Sequence, residues 1–189
     1  SNGDTATFIF DAVDAYKVRL LVDDLNWETD DGDGTYSGAL QIAELGVYAA
    51  TESATLAEEN LVDGLINYGY YFGGGLVEKE NIHDFWPIKN LYDGNKNSIV
   101  STNSFGYDNL TVAGGQSALG FRFDLDGDEP VAVDAIEITV REPGICNPIS
   151  FEVQVTTEHN PKSNNDWVTV VREETFVWSE ATALFPICL

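Results

Sequence analysis

The stretch Asn90-Leu91-Tyr92-Asp93-Gly94-Asn95-Lys96-Asn97-Ser98 holds the residue types in this chain most suited to chemistry. It sets a carboxylate, amides and a hydroxyl around a glycine, oxygen donors at close spacing on a backbone able to bend. A hard cation such as Ca²⁺ takes that kind of donor set. The same residues also make an ordinary chain reversal in which Asp and Asn side chains bond their own backbone. On residue chemistry alone both readings stay open. A second acidic run, Asp30-Asp31-Gly32-Asp33-Gly34, lacks the ligand spacing and terminal Glu of an EF-hand and reads as a solvated turn. The glycines at 73–75 are not followed by Gly-Lys-Ser/Thr and make no phosphate loop.

Charge narrows the partners. Nine basic against 32 acidic residues give a net charge of −23, which repels a phosphate backbone and an anionic membrane surface alike. No apolar run approaches the length of a membrane span. The chain opens on Ser1-Asn2-Gly3 rather than Met, so the lack of a signal peptide within it says little. Cys146 and Cys188 match no zinc spacing. A disulfide between them and two buried thiols both fit, whereas neither has a His or cationic neighbour that would activate a thiolate.

The elements that must position these residues read as strands. With 43% hydrophobic and 12% aromatic residues the chain can bury a full core. Thr5 to Phe10, Lys17 to Val22 and Leu40 to Tyr48 alternate in the manner of half-buried strands, with Lys17 and Arg19 opposite Val18, Leu20 and Val22. Residues 23–38 read as a loop, 51–60 as a polar linker or capped turn, and 66–89 as an aromatic loop. Leu119, Phe121, Phe123 and Leu125 alternate with polar residues, Asp126-Gly127-Asp128 reads as a hairpin-type turn, and Ile136, Ile138 and Val140 continue the period. Phe151 to Val155, Trp167 to Val171 and Phe176 to Trp178 follow. Short strands without a long helical period predict an all-β fold, an antiparallel β-sandwich or jelly roll.

The Asp93-Gly94-Asn95 run resembles the segment near the start of discoidin-like (coagulation factor V/VIII C-type) domains, a group that includes family 32 carbohydrate-binding modules. The resemblance implies a galactose-binding-domain-like sandwich with a structural Ca²⁺ in this turn, closed by a Glu within a Glu-Ile-x-Val-Tyr-like motif. That motif is similar to Glu44-Leu45-Gly46-Val47-Tyr48, and the family's Tyr-x-Val-Arg strand to Tyr16-Lys17-Val18-Arg19-Leu20, but both precede the turn here instead of following it. Ile99-Val100 also stand where the family often has an aromatic residue. Either residues 5–49 complete a single 1–189 sandwich with residues 60–189, as a circular permutation would, or they are the tail of a preceding tandem copy. Completion is favoured, because a stray tail would expose Phe8, Phe10, Leu20 and Val22.

The metal set implied by the resemblance is Asp93, Asn95, Ser98 and Glu44. In galactose-binding members an Arg at a strand end and a later Asn hold sugar hydroxyls while an aromatic ring stacks on the sugar face. Arg141-Glu142-Pro143-Gly144-Ile145-Cys146-Asn147 looks similar, with Arg141 and Asn147 in those roles and Trp86, Phe85 or Tyr36 as the ring. His83 or His159 could add a hydrogen bond, although a solvated His is the commoner case. Arg141 pairing with one of the many carboxylates is the bland alternative. No Gly-x-Ser-x-Gly, His-Glu-x-x-His or Cys/His motif marks an enzyme. The expectation is therefore a non-catalytic module of a larger secreted or cell-surface protein. Its ligand class is a glycan bearing galactose or N-acetylhexosamine, with neighbouring modules of the same polypeptide as further partners. The alternatives are a structural spacer or adhesin domain that binds a protein, and part of a glycoside hydrolase.

Overall fold

A computed structural model describes residues 4–25, 29–30, 36–38, 40–50, 59–72, 75–77, 87–101, 105–106, 111–112, 115–140 and 146–178. The strands run, in order, β1 (Asp4–Ala15), β2 (Lys17–Leu25), β3 (Thr29–Asp30), β4 (Tyr36–Gly38), β5 (Gln41–Ile42), β6 (Glu44–Ala49), β7 (Val62–Phe72) and β8 (Gly75–Val77). They continue with β9 (Val100–Ser101), β10 (Phe105–Gly106), β11 (Thr111–Val112), β12 (Gly115–Leu125), β13 (Val131–Val140), β14 (Pro148–Thr156) and β15 (Val168–Glu173). Two short 3₁₀ turns, Ile88–Leu91 and Asn164–Asp166, are the helical elements among the described residues. None is long and apolar enough to cross a membrane.

The fold is an all-β sandwich of antiparallel sheets. The smaller sheet has the order β1-β13-β6, and the larger runs β15-β14-β2-β12-β7-β8 with β11 added beside β12. The chain changes sheet at tight corners. Tyr16 carries it from β1 to β2, where Tyr16 N donates to Thr156 O at 2.8 Å. The 126–130 segment carries it from β12 to β13, and Asp126 N donates to Leu61 O at 2.8 Å. Asp126-Gly127-Asp128 is thus a corner between sheets, not the expected hairpin turn, because β12 and β13 pair with different neighbours. Gly127 sits at φ +118, which a side chain would resist.

The alternation in sequence maps directly onto the core. Val18, Leu20 and Val22 of β2, Leu119, Phe121, Phe123 and Leu125 of β12, and Ile136, Ile138 and Val140 of β13 are all buried. Phe8 reaches across from the smaller sheet to Phe151 at 5.7 Å and Phe176 at 5.6 Å between ring centroids. Phe176 to Trp178 is not the expected strand. It is an irregular segment whose two rings plug one end of the sandwich, with Trp178 Nε1 donating to Pro148 O at 2.7 Å.

Three further expectations are revised. The 66–89 stretch is not all loop: residues 66–72 belong to β7 and pair with β12, and Gly75–Val77 returns along β7. Its tyrosines suit a pleated surface as well as a loop. The 23–38 stretch contains the end of β2 and two short strands, with β4 lying between β3 and β10. Leu40 to Tyr48 is broken at Ala43, so that β5 pairs with β9 while β6 pairs with β13.

That break matters for topology and for the site. The strands of residues 4–49 are not an appendage. β2 lies between β12 and β14, while β1 and β6 flank β13.

Candidate functional site

The 90–99 loop is pinned at both ends before its polar tip begins. Leu91, Ile99 and Val100 are buried, and Asn90 Nδ2 donates to Ile99 O at 2.8 Å across the loop base. Pairing of Ile42 with Val100 lays the following residues of the chain alongside that base. Ala43 N then donates to Thr139 O at 2.7 Å, and Glu44 starts β6 opposite Thr139. Two stretches 50 residues apart in sequence are thereby fixed against each other by main-chain bonds.

Within the tip, Asp93 Oδ1 accepts from Asn95 N at 2.8 Å, and Asn95 Oδ1 accepts from Asn97 N at 3.1 Å. The Ser98 hydroxyl lies 3.0 Å from each Asp93 carboxylate oxygen and 2.8 Å from Asn95 O. One hydroxyl proton serves only one of these acceptors at a time. Gly94 adopts φ +73, a left-handed conformation that costs a side-chain-bearing residue about 1 kcal/mol or more. This geometry turns the Gly94 N–H toward Glu44, whose Oε1 accepts it at 3.3 Å.

Glu44 is the residue that a simple chain reversal does not explain. It is 5% exposed. Its Oε1 takes Gly94 N–H and, at 3.5 Å, Asn60 Nδ2, while its Oε2 is buried without a hydrogen-bond partner. Burial pushes its carboxyl from 4.5 up to about 7, and the neighbouring charge of Asp93 adds to the rise against the opposing Gly94 N–H, Lys96 and Asn60. A buried carboxylate oxygen without a partner is costly unless a proton or a cation completes it. Among the described residues no three His, Cys, Asp or Glu side chains gather as a metal cluster. Here the carboxylates of Glu44 and Asp93 lie on either side of Gly94, with a hydroxyl, an amide oxygen and the Asn95 carbonyl in the same turn. Ca²⁺ accepts that mixture, whereas softer metals favour imidazole or thiolate. The donor chemistry fits the cation expected from the sequence, and all four expected residues, Glu44, Asp93, Asn95 and Ser98, lie at this one place.

Around Glu44, contacts of Asn60, Glu137 and Thr7 escaped the sequence reading. Asn60, taken as the end of a linker, clamps β6 to β7. Its Oδ1 accepts from Val47 N at 2.9 Å and Val62 N at 3.2 Å, and its Nδ2 donates to Leu45 O at 2.9 Å. Tyr48 donates to Glu137 Oε2 at 2.9 Å, while Thr7 Oγ1 donates to Glu137 Oε1 at 3.2 Å. Burial, then the Glu137 charge, holds the Tyr48 phenol well above its usual range, so it stays a donor. An Asn before an apolar strand was the only available signal, and it is a weak one.

Gly46 shows how closely this wall is built. A Cβ there would meet the Tyr48 ring at 2.6–2.8 Å, and Gly46 faces Glu137 across the ladder. Gly46→Ala must swing the ring off Glu137. We expect a loss of roughly 1–3 kcal/mol, read as a lower urea midpoint at an unchanged slope. A midpoint equal to that of the wild type would show that the ring moves without cost.

Of the five expected ligand-binding residues, Tyr36 and Asn147 are among the described residues. Arg141, Trp86 and His83 lie outside the described residues, as do Phe85 and Cys188. The backbone of Tyr36 belongs to β4, the middle strand of the small β3-β4-β10 ribbon. Asn147 is fully buried just before β14. Cys146 beside it is also buried and holds φ 57, unusual for a residue with a side chain. Its carbonyl accepts from Gln41 N at 2.9 Å, tying the end of that loop to β5. His159 lies with its ring 5.4 Å from that of Tyr16.

Comparison with protein-family models, with curated proteins and with solved structures yields no match.

Proposed function

We propose that the chain is a non-catalytic binding module, stabilised by one structural Ca²⁺, whose ligand class is carbohydrate. The observation that carries this reading is the meeting of the buried, incompletely partnered Glu44 with the Asp93–Ser98 turn. Those two pieces are the ones whose resemblance to discoidin-like modules suggested the metal. Residues 4–49 share sheets with residues 115–173, which supports a permuted arrangement over a stray tail. A bound cation would lock the 90–99 loop to the start of β6, and a rigid loop base is what a shallow site needs. Sugar contact falls to Arg141 and to Trp86 or Tyr36, with His83 as a further hydrogen-bonding group. The ring packs on C–H groups and the guanidinium fixes hydroxyl positions. Secretion or surface display follows from the resemblance, as do neighbouring modules that add avidity.

Arg141→Ala is expected to abolish binding of galactose- or N-acetylhexosamine-bearing glycans while leaving the melting curve intact. Single-site affinity should be weak, on the order of 0.1–1 mM. Glycan-array screening followed by titration checks this, and an absence of binding at millimolar glycan would remove the carbohydrate assignment. The burial of Asn147 favours a second reading, a structural spacer or adhesin domain recognising a protein, because a sealed amide offers a sugar no surface. Retained Ca²⁺ stabilisation without any glycan binding is the result that selects it.

A further inference from the structure

The outer face of the larger sheet carries an arrangement that neither the metal loop nor the sugar residues account for. Lys17 and Arg19 alternate with the core residues of β2, and a solvated face is the ordinary fate of such positions. Instead Lys17 is 9% and Arg19 3% exposed. Trp167, at the end of the 157–167 connection, covers this face. The Arg19 guanidinium carbon lies 4.4 Å from the Trp167 ring centroid and that of Arg122 lies 5.1 Å from it. Arg19 and Arg122 are direct cross-strand partners in the β2–β12 ladder. Like charges so placed repel each other.

The two arginines differ in how they are satisfied. Arg19 donates to Gln154 Oε1 at 2.6 Å and to Asn164 Oδ1 at 3.1 Å. Arg122 makes no ion pair or hydrogen bond through its side chain among the described residues, and its Nε is buried with no acceptor. In a chain with 32 acidic residues and nine basic ones, an unpaired guanidinium beside a second is not explained by a shortage of carboxylates. The Arg122 side chain lines a cavity of about 390 Å³ together with Lys17, His159 and Lys162. One carboxylate also lines it, that of Asp124, and it is paired with Lys17. Lys17, Arg19, Arg122 and Lys162, four of the nine basic residues, therefore gather on one face of a strongly acidic molecule.

We propose that this cavity binds a small oxyanion group, a carboxylate or a sulfate, with Arg122 as its principal donor and Lys162 as the flanking cation. A planar guanidinium matches either group in a two-pronged contact, and the cation–π contact with Trp167 holds the Arg122 head group near the cavity before the ligand arrives. An oxyanion there would meet the Arg122 guanidinium from the cavity side and offset the repulsion between Arg122 and Arg19. The net charge of −23 disfavours anions at long range, so capture depends on these short contacts.

Titration of the intact chain with inorganic sulfate, and separately with sodium glucuronate, tests this through the Arg122 Nε–H resonance. A saturable shift with a midpoint in the range of about 1–10 mM is expected from at least one of the two. Response to sulfate alone assigns a tetrahedral oxyanion, and response to glucuronate alone a carboxylate-bearing sugar. Arg122→Gln should weaken binding at least about tenfold, as loss of a charge-assisted contact does, read through the backbone amides of 159–162. Lys162→Gln, an exposed loop change that leaves the sheet intact, should weaken it about threefold. Glu44→Gln should leave it unaltered, which separates this site from the metal loop. No saturable shift with either anion, or equal binding by Arg122→Gln or by Lys162→Gln, overturns the proposal.

Discussion

A chain that begins at residue 50 is expected not to fold. Removing residues 1–49 takes β2 from between β12 and β14, which splits the larger sheet, and takes both neighbours of β13. It also removes Phe8, Val18, Leu20, Val22, Leu25, Leu40, Ile42, Leu45 and Val47, each buried in the core. Burying one such side chain contributes about 1.5–3 kcal/mol, so their combined loss is on the order of 20 kcal/mol. A domain of this size has a net stability of about 5–15 kcal/mol. The strands left behind would present open edges prone to aggregation. Far-ultraviolet circular dichroism and an amide correlation spectrum check the outcome. A dispersed, cooperative spectrum from residues 50–189 would instead make the N-terminal strands dispensable, as the tail of a tandem copy would be.

Glu44→Gln is expected to stabilise the metal-free protein at pH 8 and to erase its response to Ca²⁺. The carboxyl of Glu44 rises from 4.5 to about 7 in the folded chain. The folded state therefore holds a proton that the unfolded state has already released between those values. Stability from this group is fully present below pH 4.5 and is lost as the pH rises through 7. Above pH 7 the buried carboxylate costs on the order of 3 kcal/mol, a penalty that the neutral amide of Gln does not carry. A cation bound to the carboxylate offsets the same penalty. Excess Ca²⁺ at about 100 times its Kd adds roughly 2.7 kcal/mol to the wild type. Binding displaces the Glu44 proton, so the gain shrinks as pH falls below 7. Melting curves with Ca²⁺ and with chelator at pH 5 and pH 8, for both proteins, read all of this. Superimposable wild-type curves at pH 8 would sink the metal assignment, and a Ca²⁺ response retained by Glu44→Gln would move the site away from Glu44.

The two results bear on different features of the chain. The first concerns which strands share a sheet, and the second a single carboxylate that those strands carry to a loop. Asn60 and Gly46 connect them. The Asn60 side chain joins β6 to β7 while touching Glu44, and Gly46 leaves the Tyr48 ring room to reach Glu137.

The sequence by itself determined the fold class, because a period of two needs only neighbours along the chain. Val18, Leu20 and Val22, and likewise Leu119, Phe121, Phe123 and Leu125, declare a buried face wherever their strand lies. It also made the Asp93–Ser98 turn legible, since Asp, Gly and Asn bend a backbone through local bonds that are present here at 2.8–3.1 Å. What alternation cannot carry is the identity of a partner strand, and there the tertiary structure decided. Only the pairing of Ile42 with Val100 brings Glu44 to Gly94, and only the β2–β12 register sets Arg19 opposite Arg122. The same limit explains Lys17 and Arg19. Their alternation promised a solvated face, but the cover provided by Trp167 comes from nearly 150 residues away in sequence. Burial on the second face of a strand depends on what the rest of the chain lays over it, and no local pattern encodes that.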